Sequence, residues 1–229
     1  MIFVTGDIHA DIDIGKLSSS KFVEGNNLTK KDYLIICGDF GLVWDNPDKI
    51  TKSELWWTKW LNEKPWTTLF IDGNHENHDR LDSYAIEEKF GGKVHRITDS
   101  IYHLMRGQYY TIEEKTFWTM GGATSHDKIY RKEGISWWRR EVPSLQEELE
   151  GIRNLELHGN KVDYIITHCL PKEKLKKFAE WYENDSVTSY LQYIKDFTTF
   201  NKWYCGHYHV NMDLGDGFQI LYNSIEKII

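Results

Sequence analysis

Five short apolar runs in this chain each end on residues that could hold a ligand, and that pairing limits the folds open to it. IFVT at 2–5, YLIIC at 33–37, TLFI at 68–71, YIIT at 164–167 and KWYC at 202–205 are rich in β-branched and aromatic residues. Their length and composition are those of strands buried on both faces. They are followed in turn by GDIH, GDF, DGNHE, HC and GHYH. Helical segments are expected from Lys52 to Asn62, from Ser144 to His158 and from Ser186 to Asp196. In the second, Ser144 and Glu147 have the spacing of a capping box. Strands alternating with helices predict an α/β fold, and open sheets of that class bind ligands at the carboxyl ends of their strands.

Between Ile101 and Gly122 the pattern changes. IYHLM, QYYTI and KTFWTM read as an antiparallel meander with Glu113 and Glu114 in a turn, which implies a second sheet. The 229 residues contain no internal repeat, low-complexity tract or proline-rich linker, so one domain spanning 1–229 is expected. A net charge of −7 disfavours a general nucleic-acid binder. MIFVTGDIHAD lacks the basic start of a signal peptide, and no apolar run approaches the ~20 residues of a membrane span. Three cysteines without CxxC spacing fit a reducing compartment, so a cytoplasmic protein is predicted, of unspecified oligomeric state.

The strand ends deliver Asp7 and His9, Asp39, Asn74 and His75, His168, and His207 and His209. The last pair would project to one side if its strand continued, and Gly206 lets the backbone turn. Imidazoles, carboxylates and an amide oxygen, without thiolates, favour Mn, Fe, Zn, Co or Ni over a structural Cys-rich zinc site. There are too many candidate ligands for one ion. Two ions sharing a carboxylate would use them, and two-metal sites with ions ~3.5–4 Å apart suit phosphoryl transfer.

In this order, GDIH, GD, GNHE, TH and GHYH resemble the motifs of the calcineurin-like metallophosphoesterases, over Asp7 to His209. The resemblance implies a four-layer αββα fold, two sheets packed as a sandwich and flanked by helices. It implies two divalent ions, manganese first and Fe, Zn, Co or Ni as alternatives. Asp7, His9 and His209 would hold one, Asn74, His168 and His207 the other, and Asp39 would bridge them. A metal-bridging hydroxide would attack phosphorus in line, and His75 would assist the leaving oxygen. The implied substrate is a small phosphorylated molecule or nucleotide, as monoester, diester or pyrophosphate. The alternative is a metal-binding scaffold or protein-interaction module of the same fold.

The sequence also departs from that pattern. GDFGLVWD has Leu42 and Val43 where many members carry an Asp or Asn that orients the histidine and an Arg that grips phosphate. Asp45 and Asp72 are the candidates to partner His75, and Arg106, Arg131, Arg139 and Arg140 those for phosphate. The loop from Gly121 to Glu141 is expected to face the substrate, with His126, Arg131, Arg139 and Arg140 as contacts and Trp137 and Trp138 for a flat group. His78, His95, His103 and His158 are expected at the surface or satisfied in the core, and PKEKLKKF as a solvated helical face.

Overall fold

The apolar runs become the centres of two sheets in this computed structural model, which describes residues 1–182 and 184–229. In chain order the strands are β1 (Ile2–Thr5), β2 (Tyr33–Ile36), β3 (Thr67–Phe70), β4 (Ile86–Lys89), β5 (Gly92–Thr98), β6 (Ile101–Leu104), β7 (Gln108–Ile112), β8 (Lys115–Met120), β9 (Tyr164–Thr167), β10 (Lys202–Cys205), β11 (Met212–Gly215), β12 (Phe218–Ile220) and β13 (Ile225–Lys227). The helices are α1 (Lys52–Asn62), α2 (His78–Asp82), α3 (Leu145–Leu157), α4 (Lys172–Phe178) and α5 (Ser186–Phe197). The capping box at Ser144 and Glu147 is present at the start of α3.

One sheet runs β13-β1-β2-β3-β6-β5-β4 and the other β11-β12-β10-β9-β8-β7. Alternation along each strand sorts its side chains into layers. Ile2, Val4, Ile35 and Leu69 face Phe117, Ile166 and Tyr204 in a core between the sheets. Phe3, Leu34, Ile36 and Phe70 point outward to Leu61 of α1 and to Trp66. Trp118, Ile165 and Trp203 point the other way, toward Leu155 of α3, Leu175 of α4 and Leu191 of α5. The result is an α/β sandwich of two mixed sheets between helical layers. Strands covered on both sides have no polar face to show, which is why they read as unbroken apolar runs.

Two expectations need correction. Only QYYTI and KTFWTM form the hairpin of the second sheet, turning through Glu113 and Glu114 at φ 49° and 61°. IYHL is instead β6, buried at every position, parallel to β3 and antiparallel to β5. A run buried on both faces belongs in a sheet's interior, and the chain changes sheets just after it. Lastly, α4 is not wholly solvated: Lys174 is buried, with its ammonium over the Phe218 ring and 2.8 Å from Asp216. Among the described residues no helix is long and apolar enough to cross a membrane.

Candidate metal centre

The five strand ends converge on two overlapping sets of donor atoms. In the first, Asp7, His9, Asp39 and His209 each place one atom within 4.8 Å of the others. In the second, Asp39, His168 and His207 do the same. Asn74 joins this second set, its Oδ1 lying 3.3 Å from His168 Nε2. All seven residues expected as ligands are therefore brought together, and Asp39 is common to both sets. Its Oδ2 lies 3.2 Å from His9 Nε2 and its Oδ1 3.3 Å from His168 Nε2.

The backbone is bent sharply to achieve this. His9, Asp39, His207 and His209 all adopt left-handed conformations, with φ of 40°, 45°, 70° and 52°. Such φ values are costly for residues other than glycine and concentrate at functional sites. They also correct the reading of the HxH pair. Strand β10 ends at Cys205, so pleat alternation does not govern His207 and His209. Two left-handed residues send His207 to the Asp39 and His168 set and His209 to the Asp7 and His9 set. Gly206 is required by close approach, since a Cβ there would come 2.1 Å from Asp7 Oδ1.

A layer of hydrogen bonds aims these side chains. His9 Nδ1 is 2.8 Å from Asp13 Oδ2, and His168 Nδ1 is 2.8 Å from the Cys37 carbonyl. Each leaves Nε2 facing the cluster, a common arrangement behind metal-binding histidines. The Asn74 amide donates to Ser125 Oγ at 3.1 Å, and Ser125 Oγ donates to Glu141 Oε2 at 2.8 Å, which turns Asn74 Oδ1 inward. Glu76 accepts from the N–H groups of Phe40 and Gly41 at 2.6 and 3.2 Å, fixing the turn that carries Asp39. The buried Lys16 ammonium donates to the carbonyls of Gly6, Asp7 and Tyr222. Sequence reasoning missed Lys16, Ser125 and Glu141, whose pairings span distant segments. Asp13, four residues beyond His9, is the one partner that spacing could have revealed.

The donor chemistry fits divalent cations. Asp7 and Asp39 are buried carboxylates whose protein neighbours are mostly imidazoles. Burial works against charge on Asp39, but His168 and His9 hold its carboxyl well below the usual range. Burial likewise works against charge on His168, yet Asp39 and Asp7 push its imidazole up to about 10. Bound cations would supply the positive charge that the imidazole otherwise carries. The thiols of Cys37, Cys169 and Cys205 are buried and pushed well up by burial, and none of them belongs to either donor set.

His75 lies half-buried beside this cluster, its ring 5.5 Å from that of His9. Burial lowers its pKa, with Asp39 opposing and Arg131 adding to the lowering. Neither proposed partner reaches its ring. Asp72 is bound to Arg106 at 2.5 Å and to His103 at 3.1 Å, and Asp45 accepts the Thr51 N–H. Arg106 is thereby removed as a phosphate ligand. Arg131, paired with Asp127 at 2.8 Å, lies close enough for its charge to act on His75. The exposed His126 stands against Tyr182, with ring centroids 5.3 Å apart. Arg139 is paired with Glu133, and Arg140 with Asp82 and Glu147. A cavity of about 390 Å³ opens beside His9 and His75, lined from residues 10–12 and 41–57 rather than from 121–141.

This architecture, an α/β sandwich with carboxylates and imidazoles gathered at its strand ends, is matched over residues 1–211 by the profile of the calcineurin-like phosphoesterases. The chain belongs to that family, a class of metal-dependent phosphoric ester hydrolases. No curated protein matches it. Among the solved chains that do is a Staphylococcus aureus protein provisionally described as a 5'-nucleotidase, in complex with alpha-ketoglutarate. It is 14% identical, with a TM-score of 0.48 over 96% of this chain, and this chain spans 48% of its length.

Proposed function

We propose that this protein is a dinuclear metal-dependent phosphoesterase that hydrolyses small phosphate esters. The observation carrying this reading is Asp39, a buried carboxylate whose two oxygens face different donor sets. Asp7, His9 and His209 would hold one ion and Asn74, His168 and His207 the other, with Asp39 shared; manganese suits these nitrogen and oxygen donors, as do iron, zinc, cobalt and nickel. When bound, the ions would supply Lewis acidity toward the phosphoryl oxygens and a water made acidic enough to act near neutral pH.

The chain's own groups supply orientation and proton transfer. Asp13, Cys37 and Ser125 fix the ligand faces. His75 would give a proton to the departing ester oxygen as the oxygen of water bonds to phosphorus and the P–O ester bond breaks. Arg131, whose charge acts on His75, would serve as the guanidinium for a phosphate there, with His126 as a further contact. A scaffold without activity would be expected to lack a ligand or the leaving-group histidine, and this chain has both.

The test uses protein stripped of metal and reloaded with each candidate ion, assayed on phosphate mono- and diesters of graded leaving-group acidity. His75→Asn should keep its metal and lose about 10²–10⁴-fold in turnover, most severely for poor leaving groups. An equal loss across the series would remove His75 from the acid role.

A further inference from the structure

Ester hydrolysis alone does not account for the walls of the cavity beside the donor cluster. The cavity meets the cluster at His9 and His75 and continues over Leu42, Trp44 and Trp57. Its volume, about 390 Å³, lies within the ~300–1,000 Å³ common for small-molecule sites. Leu42 and Trp44 follow Asp39 closely in the chain, so one loop builds both the cluster and the cavity wall.

Trp44 is held as a fixed platform. Its backbone N–H donates to Glu54 Oε2 at 3.1 Å, its backbone carbonyl accepts from Asn77 Nδ2 at 3.0 Å, and Arg80 secures Glu54 in turn. Trp138 packs edge-on against the indole at 5.5 Å, anchored by its own bond to Asp79. The Trp44 ring lies 6.4 Å from that of His75 and is inclined to it by only 30°. A flat group resting on Trp44 therefore sits alongside the residue assigned to the leaving oxygen.

The charges on the walls favour one kind of occupant. Among the described residues, the lining includes Asp11, Asp45 and Glu54 but no lysine or arginine. A second phosphate entering this space would meet the Asp11 and Asp45 carboxylates, Glu54 being held by Arg80 and by the backbone N–H groups of Trp44 and Asp45, and no lining guanidinium or ammonium offsets them. An uncharged ring would meet the indoles of Trp44 and Trp57 and the Leu42 side chain.

We infer that this cavity receives the leaving group of the substrate and selects a flat, uncharged aromatic one over an anionic one. The inference rests on the phosphoesterase reading and narrows it. The preferred substrates are phosphate esters of alcohols bearing an aromatic ring, nucleobases included, and pyrophosphate is disfavoured.

The experiment combines binding with turnover on metal-loaded protein. By calorimetry, 2-naphthylmethylphosphonate should bind roughly tenfold or more tightly than ethylphosphonate, as stacking on an indole predicts. Turnover of 2-naphthylmethyl phosphate should exceed that of ethyl phosphate by a similar factor in kcat/KM, since the two alcohols are close in acidity. Pyrophosphate should rank below both. Trp44→Ala should erase most of the naphthyl preference, and Trp57→Ala should weaken it from another wall. Equal binding of the two phosphonates, a preference that survives both substitutions, or pyrophosphate as the best substrate would overturn the inference. Turnover of every ester without preference would sink the cavity's role and leave the phosphoesterase reading standing. A naphthyl preference in binding with no ester hydrolysed would do the reverse.

Discussion

Two clusters of aspartate and histidine lie behind β3 and its neighbours, and they differ in what balances their charge. Around Asp39 are His9, His168 and His207, with a second carboxylate at Asp7 and no guanidinium among the hydrogen-bonded partners. Around Asp72 are His103 and His78, with His95 beyond, and Arg106 donates two hydrogen bonds to the carboxylate at 2.5 and 2.9 Å. Both carboxyls are held well below their usual range against the effect of burial, one chiefly by His168 and the other chiefly by Arg106. An Asp and His cluster is thus a candidate metal site when the protein leaves its positive charge to be supplied from outside. Where an arginine already fills that role, the cluster is a structural brace.

The largest expected effect lies on the first side of this contrast. Asp39→Asn should lower activity by roughly a thousandfold, since several kcal/mol of charge stabilisation depend on ions that this residue would share. Steady-state kinetics on a reloaded sample measures it, and near-normal kcat/KM would break the distinction between the clusters.

On the second side the effect should fall on stability. Arg106→Met leaves Asp72 buried without its guanidinium and should cost about 3–5 kcal/mol in urea denaturation. Metal content per folded molecule should stay unchanged. If that variant instead lost metal while folding normally, the brace would belong to the catalytic machinery.

The smallest effect concerns His78, buried beside Asp72 with an Nε2 that has no hydrogen-bond partner among the described residues. Burial, aided by Arg106, lowers its pKa to about 3 from 6.5. The unfolded chain therefore binds a proton that the folded one refuses. Stability from this group is complete above 6.5 and is lost as pH falls toward 3, by about 1.4 kcal/mol per unit. His78→Leu in metal-free protein should flatten the decline in urea stability between pH 6 and pH 5 by about that amount. An unchanged slope would show that His78 is not held neutral.

How much of this was legible depended on what each residue's neighbours in sequence could reveal. The five runs were readable because strands buried on both faces leave an unbroken apolar signature, and the ligand residues stand directly after them. Strand β4, with three exposed residues of four, and β11, largely exposed as well, lack that signature because they lie at sheet edges. The convergence of the seven candidate ligands followed from topology, but the split of His207 from His209 depended on two left-handed residues that spacing does not encode. Ser125 and Glu141 gave no local sign of a role, because Asn74 meets them across 51 residues and more of chain. The cavity wall gave no local sign for a similar reason, since Leu42, Trp44 and Trp57 become a wall only once α1 folds back beside the Asp39 turn.

The most direct test of the central claim is the number of ions bound per chain, measured by elemental analysis on reloaded wild-type protein and on Asp39→Asn. Two ions in the wild type, with both sets depleted by the single substitution, is the predicted result. A wild type that binds no more than one ion, or an Asp39→Asn protein that still holds two, would contradict it.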